Sequence, residues 1–546
     1  MSNIGKKERE TQDRVIALMD KELGYHYLGN WEDRAGNSNV EEELLNTWLV
    51  VKKGVEKDLA AKAIFEFNKV VNDQGKSLYD INKEVYSMLR YGVPVRPDIG
   101  MNKVSVFLID WKYPFENDFA IAEEVTIKSK HDKRPDIVLY INGIALGVLE
   151  LKRSIVSNTE GIRQNLDNQK EIFIKRFFAT VQYVMAGHDI EGIAYGAIET
   201  KEKYYLKWKE VSEENNKQDE HLLKITKPIR DSAAKYRHPL DKHIIELLNK
   251  ERFIELLHDF IVFDRGIKKL CRHNQYFGVK AAQEHIRKRE GGIIWHTQGS
   301  GKSLTMVWLT KWIREYNPNG RVLIITDREE LDDQIEKVYN GVHEKIYRTT
   351  SGKDLLSKLN DTSPWLMCSL VHKFKGKDEG DVEEFVNELK SGIPTDFRAK
   401  GDVYVFVDEC HRTQSGKLNE AMKAFLPEAL FIGFTGTPLL KSDKQTSLEI
   451  FGKYIHTYKF DEAVKDKVVL DLRYEARDVE QKITSHDRID EWFELKTQGL
   501  TDFAKTELKQ KWGTLKKVFS SRSRLEKIVI DMTMDMERPG KCYARF

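Results

Sequence analysis

Long apolar runs are missing from this chain. Nowhere does the sequence hold about eighteen consecutive apolar residues, the length a membrane-spanning helix needs. The opening Met1-Ser2-Asn3-Ile4-Gly5-Lys6-Lys7-Glu8 lacks the apolar core of a signal peptide. Cysteine is scarce: Cys271, Cys368, Cys410 and Cys542 are far apart, without metal or disulfide spacing. Net charge is only +2, so bulk charge does not announce a nucleic-acid partner, although a basic face can hide in a balanced total. No internal repeat or low-complexity tract stands out. These absences predict a cytoplasmic protein without structural zinc or disulfides.

What is present is a globular composition, 40% hydrophobic with both charge signs abundant, over 546 residues, enough for two to four domains. Residues 1–210 mix helical and strand patterns. A polar stretch from Ser212 to Glu220 follows, then apolar residues at helical spacing (Ile244, Leu247, Leu248, Phe253, Leu256, Leu257), so 211–265 reads as linker and helical connector. Across 266–460 the pattern changes. Buried-strand runs at 292–295, 321–326, 403–407 and 430–434 alternate with helical segments, which predicts a parallel sheet with crossover helices. The remainder, 461–546, reads as the start of a further, incomplete lobe. The fold class is α/β.

The strongest local signal is Ile293-Ile294-Trp295-His296-Thr297-Gln298-Gly299-Ser300-Gly301-Lys302-Ser303. A buried strand enters a glycine-rich turn and then a helix. Gly299, Ser300 and Gly301 bring backbone N–H groups close to phosphates at a helix N-terminus. Lys302 should reach the β- and γ-phosphates of ATP, and the Ser303 hydroxyl should ligate Mg²⁺. His296 stands where the general pattern has its first glycine. Downstream, the strand 403–407 ends in Asp408-Glu409-Cys410-His411. Asp408 can hold the Mg²⁺ ion there and Glu409 can activate water. A third strand leads into Thr435-Gly436-Thr437-Pro438.

A second constellation lies upstream. Arg134-Pro135-Asp136 opens an apolar run, Asn142-Gly143 marks a turn, and a second apolar run ends in Leu149-Glu150-Leu151-Lys152. Glu150 and Lys152 share one face of a strand. Burying two carboxylates and a lysine is costly without a purpose. Mg²⁺ between Asp136 and Glu150, with Lys152 placing water, would support phosphodiester hydrolysis. A strict two-residue turn would put Asp136 on the wrong face from Glu150. The expectation is therefore a three-residue loop, 141–143, with Gly143 at positive φ in a bulged turn, an argument that lapses if Asp136 lies beyond the paired strand. Alone, the pattern is loose, and an edge strand with polar ends explains many such matches. Its place ahead of a phosphate loop favours the nuclease reading.

The downstream segments resemble the nucleotide-binding, Asp-Glu-x-His and coupling motifs of superfamily-two helicases and translocases. That resemblance implies a RecA-like ATPase lobe in which Gln275 reads the adenine and Thr435 and Thr437 couple ATP state to DNA grip. It also implies that Asp327-Arg328 and the segment from Ser369 to Lys373 lie near the DNA backbone. The upstream residues match the Pro-Asp … Glu-x-Lys pattern of the PD-(D/E)xK nucleases. Nuclease before motor, with Leu149-Glu150-Leu151-Lys152 and Trp295-His296-Thr297, resembles the restriction (R) subunit of type I restriction–modification enzymes across essentially the whole chain.

The resemblance implies double-stranded DNA as substrate, ATP and Mg²⁺ as cofactors, and methyltransferase (M) and specificity (S) subunits as partners. It implies a supporting Gln-x3-Tyr pattern, which Gln169 fits and Phe173 breaks, and an N-terminal helix acid such as Glu10 at the metal. Two other readings stay open: a repair helicase–nuclease without a methyltransferase, and an ATP-gated DNA-binding module with an inert nuclease site. After Pro438 no second phosphate-handling sequence with paired arginines is found, Arg522 and Arg524 being poor substitutes. The sequence thus predicts a first RecA-like lobe and a truncated second one, with ATP bound but slowly hydrolysed and no translocation.

Overall fold

Asn142 and Gly143 set the geometry of the N-terminal sheet. The computed structural model describes residues 8–98, 100–152, 156–212, 219–326, 336, 345–370, 397, 399–410, 422–423, 426–437, 451–471, 491, 493–512 and 522–536. Both turn residues lie at positive φ, 53° and 81°, as a two-residue type I′ hairpin turn requires. Ile141 pairs with Ile144 and Tyr140 with Ala145. The expected three-residue loop is therefore corrected to two, although Gly143 does take positive φ. The turn is fixed from outside: the Asn142 side chain accepts from Asp118 N at 2.7 Å and donates to Leu108 O at 3.0 Å. A Cβ at Gly143 would come within 2.7 Å of Glu41 O, so glycine is required twice over.

The bulge lies higher in the hairpin. Leu139 pairs with Gly147, Val138 with Val148 and Ile137 with Leu149, which leaves Leu146 as the extra residue. Asp136 lies one residue before the paired strand Ile137–Ile141, and its Oδ2 reaches Leu151 N at 2.6 Å. The parity expectation that called for a three-residue loop therefore does not reach Asp136, which stands outside the paired strand.

Around the hairpin a seven-stranded sheet follows chain order: His26–Asn30, Phe119–Glu123, Ile137–Ile141, Ile144–Lys152, Tyr183–His188, Gly192–Gly196 and Leu206–Lys207. Its first pair and the pair Ile144–Lys152 with Tyr183–His188 are parallel, and the rest are antiparallel. Ile137–Ile141 is buried throughout, and Ile144–Lys152 at every residue but the last. Covering on both faces explains why these strands read as continuous apolar runs. The helices Glu8–Lys21 and Asn158–Asn168 both pack on Ile144–Lys152.

The second seven-stranded sheet is wholly parallel. Its spatial order is Tyr347–Arg348, Leu366–Leu370, Gly320–Thr326, Asp402–Asp408, Leu430–Thr435, Gly292–His296, Tyr454–Tyr458. All four strands expected from the apolar runs are in it.

Residues 211–265 form a packed junction. After residues 213–218, which lie outside the described residues, come the helices Glu220–Ala234, Pro239–Leu248 and Lys250–Asp259 and a hairpin of Ile261–Asp264 with Ile267–Leu270. Lys268 Nζ donates to Asn82 Oδ1 at 2.8 Å and bonds Gln182, the Tyr195 hydroxyl donates to Cys271 O at 2.9 Å, and Arg90 pairs with Glu315. One apolar core runs through both sheets and the junction. By density of internal contacts the chain divides at 469, giving units Met1–Val469 and Leu470–Phe546. Helix Phe460–Lys465 stays with the first, where Asp466 pairs with Lys209 at 3.0 Å and His273 at 3.2 Å. The second unit contains the helices Asp502–Trp512 and Arg522–Met536.

Candidate functional site

The register brings Asp136, Glu150 and Lys152 together at one end of the bulged hairpin. Asp136 Oδ2 accepts from Leu151 N at 2.6 Å, and the Glu150 carboxyl lies close enough for the Asp136 charge to act on it. Glu150 is completely buried. Burial, then the charge of Asp136, pushes its carboxyl well above the usual range. Burial also raises Asp136, from an ordinary 3.8 to about 6, against the opposing pull of the Leu151 N–H and Lys152. Burial lowers Lys152, but Asp136, Glu8 and Glu150 outweigh it and hold the ammonium charged.

The acid on the N-terminal helix is Glu8, whose Oε1 lies 3.0 Å from Lys152 Nζ. Glu10, two residues on, is exposed. The expected supporting glutamine is corrected as well. Gln164 Nε2 donates to Glu150 Oε2 at 2.7 Å and Asn168 Nδ2 to Glu150 Oε1 at 3.1 Å. Being four apart on one helix, the two face the same carboxylate. Gln169 turns away, donating to Asn165 O at 3.0 Å and accepting from Glu199 N at 2.6 Å. Phe173 lies under Lys133, 4.1 Å from its Nζ. The signal that finds Gln164 is helix phase relative to Glu150, which spacing from Lys152 alone does not supply.

Two adjacent hard carboxylate donors, each raised by burial, form a set that a divalent cation can occupy, which fits Mg²⁺. Another acidic group, His258, Asp259 and Glu315, also has metal-like spacing among the described residues. There Arg90 pairs with Glu315 and approaches Asp259 to 4.0 Å, so that group is already neutralised as an ion-pair network.

Two consequences are measurable. Gln164→Ala should weaken Mg²⁺ binding roughly 10–100-fold, the usual cost of losing a partner behind a ligand, while Gln169→Ala leaves it unchanged. Calorimetric titration separates the two. The second concerns pH. The folded state prefers protonated Asp136, so its stabilisation without metal is complete below 3.8 and is lost as pH rises through about 6. A Mg²⁺ ion at this pair would require both carboxyls ionised, and with Glu150 raised as well its stabilising effect would grow as pH rises through about 6 and beyond. Melting temperatures with and without Mg²⁺ should diverge there in the native chain and much less in Asp136→Asn.

The candidate nucleotide site lies at the carboxyl ends of three adjacent parallel strands, the usual ligand edge of such sheets. Gly292–His296 delivers the loop 297–301, with Gly299 at φ 81° and Gly301 at φ 92°, directly into the helix Lys302–Tyr316. Ser300 is buried, its hydroxyl donating to Thr297 O at 2.6 Å. Ser303 follows Lys302 in the first helical turn and is half-buried. Asp408 ends its strand in register with Phe434, and Glu409 follows at φ 47°. Thr435 is buried, its hydroxyl donating to Thr437 O at 3.1 Å. Gly436 brings this turn against the loop: a Cβ there would sit 2.8 Å from Lys302 Nζ. The sheet thus gathers Lys302, Asp408, Glu409, Thr435 and Thr437 on one edge.

Gln275 is buried on the phosphate loop itself. Its Nε2 donates to Gly301 O at 2.9 Å and its Oε1 accepts from Arg272 N at 2.8 Å. His296, in the place of the first glycine, points into the core with its Nε2 2.8 Å from His456 Nδ1. Burial keeps both rings neutral, His456 down to about 3 and His296 well below its usual range. Gly278 makes the room, since a Cβ there would come within 2.8 Å of His296. Asp327, Arg328, residues 371–373, His411, Pro438 and the stretch 538–546 lie outside the described residues.

Residues 5–203 match the family described as type I restriction enzyme R protein N terminus, and residues 274–506 the SWI2/SNF2 ATPase family. Among curated relatives, a putative type I restriction enzyme endonuclease subunit of Methanocaldococcus jannaschii is 27% identical, aligned to 94% of this chain and 50% of its own length. A type I restriction enzyme endonuclease subunit of Haemophilus influenzae is 28% identical over 75% of this chain and 40% of its own length. One from Staphylococcus aureus is 25% identical over 72% and 40%. The chain spans about half or less of the length of these relatives.

Proposed function

We infer that this chain is a member of the type I restriction enzyme R-subunit family and supplies the ATPase and nuclease parts of an ATP-dependent double-stranded DNA translocase and endonuclease. It would cut DNA with Mg²⁺ in an assembly with methyltransferase and specificity subunits. The observation that carries the reading is the end of the bulged hairpin, where Asp136 accepts from Leu151 N at 2.6 Å beside Glu150 and Lys152, in the same compact unit as a phosphate-loop sheet.

In the cleavage centre Asp136 and Glu150 would hold Mg²⁺, which when bound polarises the phosphate and lowers the pKa of water. Gln164 and Asn168 fix the Glu150 oxygens. Lys152, held charged between three carboxylates, is placed to orient the attacking water and to offset charge on the phosphate. At the other centre the 297–301 backbone and Lys302 would cradle the ATP phosphates, Ser303 and Asp408 would hold its Mg²⁺, and Glu409 would orient water. Gln275, bonded to Gly301, ties adenine recognition to the shape of that loop. Among the described residues no helix is long and apolar enough to cross a membrane.

The test is Mg²⁺-dependent cleavage by the chain assembled with its methyltransferase and specificity subunits, with Asp136→Ala as control. Cleavage that survives Asp136→Ala would remove the nuclease assignment. Failure to copurify with those subunits would favour the stand-alone helicase–nuclease.

A further inference from the structure

The cleavage centre has an electrostatic problem with its substrate. Asp136, Glu150 and Glu8 face one another there, with Glu124 close to Asp136. A DNA backbone must bring its own charge to this acidic end of the sheet. The catalytic strands offer one cation, Lys152, already engaged by three carboxylates.

The segment that leads into Asp136 supplies what is missing. Ile127 and Lys133 exchange both backbone hydrogen bonds, at 2.9 and 3.3 Å, closing a small hairpin whose tip is 128–132. It carries Lys128, Lys130, His131 and Lys133 against one acid, Asp132. The Lys128–Asp132 pair is 2.8 Å apart but lies in solvent, with the Lys128 side chain 81% exposed, so it contributes little. Lys130 and His131 are exposed.

This hairpin is anchored at its base. Lys133 Nζ stands 4.1 Å over the Phe173 ring, and the Ser129 hydroxyl donates to Phe173 O. Phe173 follows the helix whose Gln164 and Asn168 hold Glu150. Beyond Lys133, Arg134 pairs with Glu124 at 2.7 Å, and Pro135 leads to Asp136. A positive finger is therefore fixed both to the catalytic strand and to the helix that positions Glu150. A merely solvated turn requires charge but not this double anchoring beside an acidic centre.

We propose that the hairpin 127–133 is the DNA-backbone contact of the cleavage centre, with Lys130 and Lys133 on phosphates of double-stranded DNA. The proposal rests on the nuclease reading above. Lysine ammoniums are point charges without the planar fork that reads base edges, so the contact is independent of sequence.

The test is the salt dependence of duplex binding by the purified chain, in a Lys152→Ala background so that nothing is cut. Lys130→Ala with Lys133→Ala should lower the slope of log affinity against log salt by about 2, since each phosphate contact contributes roughly 0.9. The loss should be equal for unrelated duplex sequences, with nucleotide binding unchanged. Lys130→Glu leaves the Phe173 anchor intact and should alone lower the slope by about 1. An unchanged slope in Lys130→Glu overturns the proposal, and so does a loss confined to one DNA sequence. If the slopes fall as expected but the assembled native enzyme does not cut with Mg²⁺, the DNA contact is supported and the nuclease reading falls. If it cuts while the slopes stay unchanged, only the contact falls.

Discussion

Lys152→Ala should lower Mg²⁺-dependent DNA cleavage by the assembled enzyme roughly 10²–10³-fold, the scale for losing one preorganised charge at a reacting centre. ATP turnover by the same assembly should stay near native. The separation follows from where the two lysines sit: Lys152 ends a strand of the mixed N-terminal sheet, and Lys302 opens a helix of the parallel one. Without the ammonium, Asp136 and Glu150 lose the charge that favours their ionised forms. Mg²⁺ binding should therefore also weaken and move to higher pH. Parallel assays of cleavage and ATP hydrolysis on one preparation check this. Equal loss of both activities in a folded variant would mean that the two centres are one functional unit.

The sequence showed the residues of this centre more clearly than its geometry. Asp136, Glu150, Lys152 and the Asn142-Gly143 turn are readable because each is a polar or glycine interruption in an apolar run. The place of the bulge is not. Leu146 is one apolar residue among many, and nothing local marks it as the one left unpaired. Parity reasoning placed an extra residue in the loop, where Asn142 and Gly143 together already satisfy a type I′ turn, and it assumed Asp136 inside the paired strand that in fact begins at Ile137. Gln164 was missed for a similar reason. Its role depends on the side from which the helix Asn158–Asn168 approaches Glu150, a tertiary fact. At Gly161 a Cβ would meet Ala186 at 3.1 Å and Lys152 at 3.4 Å, so a glycine inside that helix was the available hint of close approach. The parallel sheet was more legible, since fully buried strands leave a plain apolar signature. His296 departs from the phosphate-loop pattern, and its reason, the partner ring of His456, lies 160 residues away.

Lys302→Ala should abolish ATP turnover in the assembled enzyme while leaving Mg²⁺ binding at Asp136 and Glu150 intact. The ammonium is the charge placed nearest the transferring phosphate, and a comparable cation in phosphoryl transfer is worth roughly 10³–10⁵ in rate. Its setting also defines a second variant that leaves the lysine in place. Lys302 Nζ lies where a Cβ on Gly436 would approach to 2.8 Å, so Gly436→Ala must displace either the ammonium or the turn that carries Thr435 and Thr437. If Lys302 works from that position, Gly436→Ala reproduces most of the loss, whereas Gly299→Ala strains the loop, at φ 81°, without touching the lysine. The readout is nucleotide affinity beside turnover. Lys302→Ala should lower both, and Gly436→Ala should lower turnover more than affinity, because it disturbs the link between the loop and the Thr435 turn and not the glycines that cradle the phosphates. Native turnover in Gly436→Ala would show that the ammonium acts from another position once ATP is bound.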